Sequence, residues 1–224
     1  MLPEVPPGYP QGASVEGEWQ LPVLESPTIS MRPEGLFAFD DLGRAPNPGH
    51  SGIHFFRNDE KFQPVVLRPL SYVYKFMEFG FVITPDLSLG DDMPTWMVAH
   101  RVFYSRAVGL IWQRRGLRVI PILRWRRIDQ IPFIVAGLPK AGSIAVSNYG
   151  FRRDIAERMN FSAGLSEILE ILKPETVLLY GSLDENLRRI LSQVTNVYAF
   201  DSAMAEARLS ISEQMEEDLQ GFLF

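Results

Sequence analysis

Short apolar runs alternate along the chain with longer stretches whose apolar positions recur at helical spacing. Ile53-His54-Phe55-Phe56 is the first run suited to a buried strand. Residues 64–79 then show helical spacing through Val65, Leu70, Val73, Phe76 and Met77, interrupted by Pro69 and closed by Gly80. Phe81-Val82-Ile83-Thr84 reads as the next strand. Asp92 is placed to cap a following helix, with Pro94 in its first turn and Gly116 as its stop. Residues 117–123 (LRVIPIL) read as a strand whose internal proline puts it near an edge or a bulge. Residues 131–136 fit a strand or a short buried helix, and periodicity does not separate the two. The pattern continues with a strand at 143–147, a helix at 151–172 stopped by Pro174, and a strand at 176–180. A helix at 183–191 and a last strand at 197–200 complete it.

About six apolar strands separated by helices predict an α/β fold. Its sheet is mostly parallel with crossover helices, either open or curled into a partial barrel. In either form a ligand site is expected where chain leaves the strands at their C-terminal ends. Those loops hold Asn58-Asp59-Glu60-Lys61, residues 85–92, Arg124-Trp125-Arg126-Arg127, Asn148-Tyr149-Gly150 with Arg152-Arg153, Gly181-Ser182 and Asp201-Ser202.

The ends differ from this middle. Nine of the 17 prolines fall in residues 1–50, which predicts an extended, acidic arm that orders only against the core or a partner. Leu36-Phe37-Ala38-Phe39 is its one segment apolar enough to dock. Residues 51–200 are expected to form a single α/β domain, a size that buries one good core. Residues 201–224 form an acidic tail, amphipathic from Ser210 and ending Phe222-Leu223-Phe224, suited to self-association or a protein partner. The chain has no cysteine, which excludes disulfides, thiolate metal sites and a cysteine nucleophile. No run of about 18 apolar residues is present, and the first residues lack the basic start and apolar core of a secretory signal. These features favour a cytoplasmic setting with no membrane partner.

The formal net charge of −5 conceals a segregation. Residues 101–158 hold 12 basic side chains against 3 acidic ones, giving +9, whereas residues 1–50 and 201–224 each carry −5. A positive middle between negative ends points to an anionic partner, or to tails that screen the middle from one.

Several of these segments taken together resemble a known family. They are His54-Phe55-Phe56, Asp59-Glu60-Lys61-Phe62, Thr84-Pro85-Asp86-Leu87-Ser88 and Asp92-Met93-Pro94. Arg106-Ala107-Val108-Gly109, Trp112-Gln113, Gly116, Val119-Ile120-Pro121, Trp125, Gly137-Leu138-Pro139, Val146-Ser147 and Tyr180-Gly181 extend the likeness. Over residues 50–182 the chain resembles the uncharacterised family called domain of unknown function 4417. The resemblance implies a phage or mobile-element setting and no defined activity. Arg126-Arg127 depart from the smaller or acidic residues expected after the tryptophan.

Two constellations carry candidate chemistry. Asp86, Ser88, Asp91 and Asp92 share one strand-to-helix loop; carboxylates so grouped can hold Mg²⁺ or supply a general base. Asp86 directly follows a strand and is the first choice for catalysis, with Asp59 or Glu60 facing it and Ser88 beside it. The plainer reading has Asp91 and Asp92 cap the helix and Asp86 close a turn. The second constellation is arginine-rich. Arg124, Arg126, Arg152 and Arg153 follow adjacent strands, and guanidinium forks suit phosphate. Trp125, Tyr149 and Tyr180-Gly181 add stacking surface and a close backbone approach. The plainer reading is a solvated face paired with acids. His50, His54 and His100 form no zinc pattern, so no protein metal site is assigned. Residues 137–143 lack P-loop spacing, and no dinucleotide or α/β-hydrolase fingerprint occurs.

Three functions follow: binding of nucleic acid or a nucleotide through the arginine-rich loops, hydrolysis or glycosyl-bond cleavage by Asp86 with Asp59 or Glu60, and a virion-associated interaction role for the tails.

Overall fold

The structure is a computed structural model, and it describes residues 4–25, 27–29, 31–149 and 155–200. In chain order it forms β1 (Val15–Glu16) and β2 (Leu21–Pro22), an antiparallel pair, then β3 (Leu36–Ala38), β4 (Gly52–His54), α1 (Asp59–Leu67), α2 (Val73–Phe76) and β5 (Phe81–Ile83). There follow α3 (Thr95–Gln113), β6 (Val119–Ile120), β7 (Ile122–Leu123), α4 (Ile131–Val135) and β8 (Ser143–Ser147). The last elements are α5 (Ile155–Leu172), β9 (Thr176–Tyr180), α6 (Glu185–Leu191) and β10 (Asn196–Phe200). The fold is α/β. No helix among the described residues is long and apolar enough to cross a membrane.

Two four-stranded parallel sheets, β3-β4-β5-β6 and β7-β8-β9-β10, meet at the stretch that contains both β6 and β7. Pro121 divides them because it has no amide to donate. The ladder is patched around it: the Ile122 amide donates to Thr84 Oγ1 at 3.0 Å, and the Pro121 carbonyl accepts from the Ala145 amide at 2.9 Å. Each strand therefore lies beside its predecessor in the chain, and crossovers of one hand put the helices on a single face. Ile53, Val82 and Val119 turn to that face under α1 and α3. Ile144, Val146, Val177 and Leu179 do the same under α4 and α5.

The opposite face is equally apolar, and it curls onto itself. Phe81, Ile83, Ile120, Ile122, Ala145, Leu178 and Tyr180 form one buried cluster with Ile29 and Phe56. Phe56, just past β4, stacks on Tyr180 of β9 with ring centroids 4.3 Å apart. In a flat sheet those strands would stand four spacings, about 19 Å, apart. The sheet is thus a trough, with β3 and β10 as edges that do not pair with each other among the described residues.

The arm closes the trough from below. Ile29 donates its amide to Ser143 Oγ at 2.8 Å and accepts from Thr176 Oγ1 at 2.8 Å, at the first residues of β8 and β9. Leu36–Ala38, expected only to dock, is a strand of the sheet, so the folded unit begins inside the proline-rich segment. Asp92 does not cap α3; the helix starts at Thr95 after Pro94 and has no side-chain cap. Residues 131–135 resolve as a helix. Arg106 is 1% exposed and donates to the carbonyls of Ala136 and Ile134, tying α3 to the end of α4. Burial pulls its pKa down to about 9, opposed by Glu16, so it is a buried cation at neutral pH. The segment 201–224, with the expected amphipathic tail, lies outside the described residues, as do Arg152 and Arg153.

Candidate functional site

The residues singled out by the strand-end rule separate into three neighbourhoods. In the first, Asp86 follows β5 and Arg124 follows β7, so adjacent strands present them to one another. They form a two-pronged ion pair, Arg124 Nε to Asp86 Oδ1 at 2.5 Å and a second guanidinium nitrogen to Oδ2. Asp86 is 4% exposed. Burial alone would lower the Arg124 pKa; the carboxylate of Asp86, its hydrogen bond and the charge of Asp59 outweigh this and raise it. Beneath the pair lies a cavity of about 20 Å³, lined in part by Pro85, Arg101, Ser105 and Ile134. That is room for a water and no more.

Asp59 starts α1 and turns to the same loop. It accepts from the Ser88 amide at 3.1 Å and hydroxyl at 2.8 Å, and pairs with Arg101 at 2.8 Å. Arg101 also donates to the Ser88 carbonyl at 2.7 Å. Asp59, Ser88 and Arg101 thus pin the loop after β5 to α1 and α3. Glu60 remains exposed on α1. Asp91 is exposed and lies 3.5 Å from Arg126, apart from Asp86. Among the described residues no group of three His, Asp or Glu side chains converges to hold a metal ion.

The other loop arginines are also engaged. Arg126 donates to the Leu89 carbonyl at 2.9 Å, and Arg127 grips Asp129 at 3.0 and 2.9 Å. Trp125 lies in the core: it is 1% exposed and stacks on Phe161 with centroids 5.0 Å apart. Gly164 of α5 permits this, since a Cβ there would stand 2.2 Å from Trp125 Nε1. The arginine-rich loop is therefore knitted into the fold, with its tryptophan in the core.

The second neighbourhood is aromatic. His54 lies against Phe56 and Tyr180, with centroid distances of 5.1 and 4.8 Å, and Tyr149 meets Tyr180 edge-on at 6.5 Å. The Phe56 amide donates to His54 Nδ1 at 3.1 Å, which assigns the proton of the neutral ring to Nε2. Burial pushes the His54 pKa down to about 3, Arg57 adding to this and Asp40 opposing it. Tyr180 is 5% exposed; Tyr149 above it is 42% exposed.

The third neighbourhood is open. A cleft of about 650 Å³ lies between the start of α5 and the loop from β9 into α6. Ile155, Arg158, Met159 and Ser162 line it from α5, at the i, i+3, i+4, i+7 spacing of one helix face. Ser182, Asp184 and Asn186 face them, with Asn148 at its edge. Asn186 donates to Ser162 Oγ at 2.8 Å across the floor, and Asp184 caps α6 by accepting from the Leu187 amide at 2.9 Å. Ile155 and Met159, one turn apart, are 68% and 67% exposed. Arg158 has no ion pair among the described residues. The strand-end rule had reached this mouth through Asn148, Tyr180 and Gly181, but not the α5 residues. Their signal was present in the sequence: Ile155 and Met159 lie off the stripe of Phe161, Leu165, Ile168 and Leu172 that faces the core.

The family described as Domain of unknown function (DUF4417) matches residues 13–201. The Gene 1 protein of Mycobacterium phage D29 is 34% identical over 131 residues, 58% of this chain and 48% of that protein. The Gene 1 protein of Mycobacterium phage L5 is 32% identical over 131 residues, 58% of this chain and 57% of that protein. The match thus spans about half the length of these relatives. No solved structure matches the chain.

Proposed function

The chain belongs to the DUF4417 family, and we propose that this phage-type protein binds a nucleotide in the cleft between α5 and the β9–α6 loop. One observation carries the reading: a single face of α5 offers an exposed apolar pair, Ile155 and Met159, beside Arg158, a cation with no ion pair among the described residues. A planar base packs on the apolar pair, the phosphate meets Arg158, and Ser182 and Asn186 supply polar contacts opposite. The cleft has the volume of a small-molecule site. It also opens at the C-terminal ends of parallel strands, where α/β folds bind ligands. In sequence, Arg152, Arg153 and Asp154 precede α5 and lie outside the described residues.

A nucleotide fits better than a long polyanion threaded over the strand-end loops. Arg124, Arg126 and Arg127 are each held by Asp86, Asp91 and Asp129, so a polyanion there has to displace carboxylates. Hydrolysis by Asp86 with Asp59 draws less support, because both carboxylates already serve arginines. Titration calorimetry with AMP, dTMP and ATP tests the reading. Saturable binding is expected, weakened about tenfold in Arg158→Ala and in Met159→Ala, a loss of about 1.4 kcal/mol each. Flat heats across the panel, or full affinity in both variants, refute it.

A further inference from the structure

We infer that the opposite end of the sheet, where the chain enters its strands, is a docking surface for the phosphodiester backbone of duplex nucleic acid. The observation is a polarity in how positive charge is spent. At the strand exits, Arg57, Arg101, Arg124, Arg126 and Arg127 pair with Asp40, Asp59, Asp86, Asp91 and Asp129. At the strand entries, Arg32, Arg114, Arg115, Arg118, Lys140 and Lys173 are exposed, and none has an ion pair among the described residues. Four basic side chains of residues 101–158, Arg114, Arg115, Arg118 and Lys140, thus stand without an ion pair among the described residues at the end away from the cleft.

The placement follows from the topology. α3 descends from the exit end and stops at Gln113, so Arg114, Arg115 and Arg118 occupy the tight turn into β6, in the middle of the sheet. Arg32 reaches the same edge from the arm and lines with Arg118 a depression of about 130 Å³. Arg118 also walls a neighbouring depression of about 320 Å³. Lys140 and Lys173 lie in the turns into β8 and β9. The acids at this end are fewer. Glu34 is engaged by His50 at 3.5 Å and by Asn47 at 2.9 Å, Glu175 accepts from Thr28 at 3.2 Å, Glu78 is exposed, and so is Glu25, whose backbone bonds the Gln113 side chain beside Arg114. A cation at a helix C-terminus complements the dipole, which accounts for Arg114. It does not account for Arg118 beyond the helix, or for Arg32 from a separate segment.

The surface carries phosphate contacts and no built base-reading element, so binding is insensitive to sequence and steep in salt. Fluorescence anisotropy with a labelled mixed-sequence duplex of about 20 base pairs, on the full chain at several salt concentrations, is the test. The Arg114→Ala/Arg115→Ala/Arg118→Ala variant is expected to lose at least about tenfold affinity at low salt. The slope of log K against log salt should fall by about 3 in magnitude. Arg32→Ala alone gives a smaller loss of the same kind, and Arg158→Ala leaves duplex binding unchanged. No binding by the parent chain at low salt overturns the inference. So does full binding by the triple variant, with its fold checked by circular dichroism, or loss of binding in Arg158→Ala.

Discussion

The side-chain oxygen of Asn148 lies 1.8 Å from the position a Cβ on Gly181 would take. Gly181 also adopts φ +126°, a conformation L side chains avoid. The other end of the amide donates to the Ser182 carbonyl at 2.7 Å, so one side chain joins the loops after β8 and β9 at the rim of the cleft. Gly181→Ala is expected to cost at least about 2 kcal/mol, from the collision and from backbone strain. Adding Asn148→Ala removes the collision but not the strain, so the double variant recovers only part of the loss. Urea unfolding midpoints of the three proteins measure this, and an unchanged midpoint in Gly181→Ala would contradict it.

The Asp86–Arg124 pair makes an asymmetric prediction. Asp86 is almost sealed, whereas the Arg124 side chain is 19% exposed. Arg124→Ala strands a buried carboxylate and should destabilise by about 3 kcal/mol. Asp86→Ala leaves a guanidinium that can turn toward Asp59 and water, at a smaller cost. Removing both should cost less than the two single losses added together. A double-mutant cycle by denaturant unfolding reads the coupling; strict additivity would show that the pair does not act as a unit.

Protonation of His54 should make acid weaken the fold. The imidazole is neutral in the native state down to about pH 3, but in the unfolded chain it gains a proton near its ordinary pKa of 6.5. Its contribution is therefore complete above pH 6.5 and is lost progressively as pH falls toward 3. The effect is on the order of a few kcal/mol across that window. His54→Asn keeps an acceptor near the Phe56 amide and removes the titration. Unfolding free energy measured from pH 7 to 4 should fall less steeply in the variant; parallel slopes would rule the proposal out.

The long-range pairing explains which features were readable in the sequence. Residues 176–180 and 143–147 are buried along their whole length, and an apolar run inside each, Val177 to Tyr180 and Ile144 to Val146, marks it. Leu36–Ala38 is a strand only because β4 lies beside it, and a three-residue run among prolines carries no periodicity of its own. Residues 131–135 become a helix where the same apolar letters would serve a strand. At the site, the strand-end rule points to the end of the sheet where the proposed cleft opens. It did not show that Trp125 turns inward or that Arg124 meets Asp86, since those outcomes depend on partners 35 and 38 positions away.

The strictly sequential strand order has a consequence for how the molecule is made. As the chain leaves the ribosome, each new βα unit finds its neighbour already in place, so the trough can grow one strand at a time. The arm is the exception. Ile29 has two bonding partners that follow it by 114 and 147 residues, Ser143 and Thr176. Closing so large a loop has an entropic cost that local strand addition avoids. The floor of the trough is therefore laid only once β8 and β9 are in place, by a segment synthesised before either.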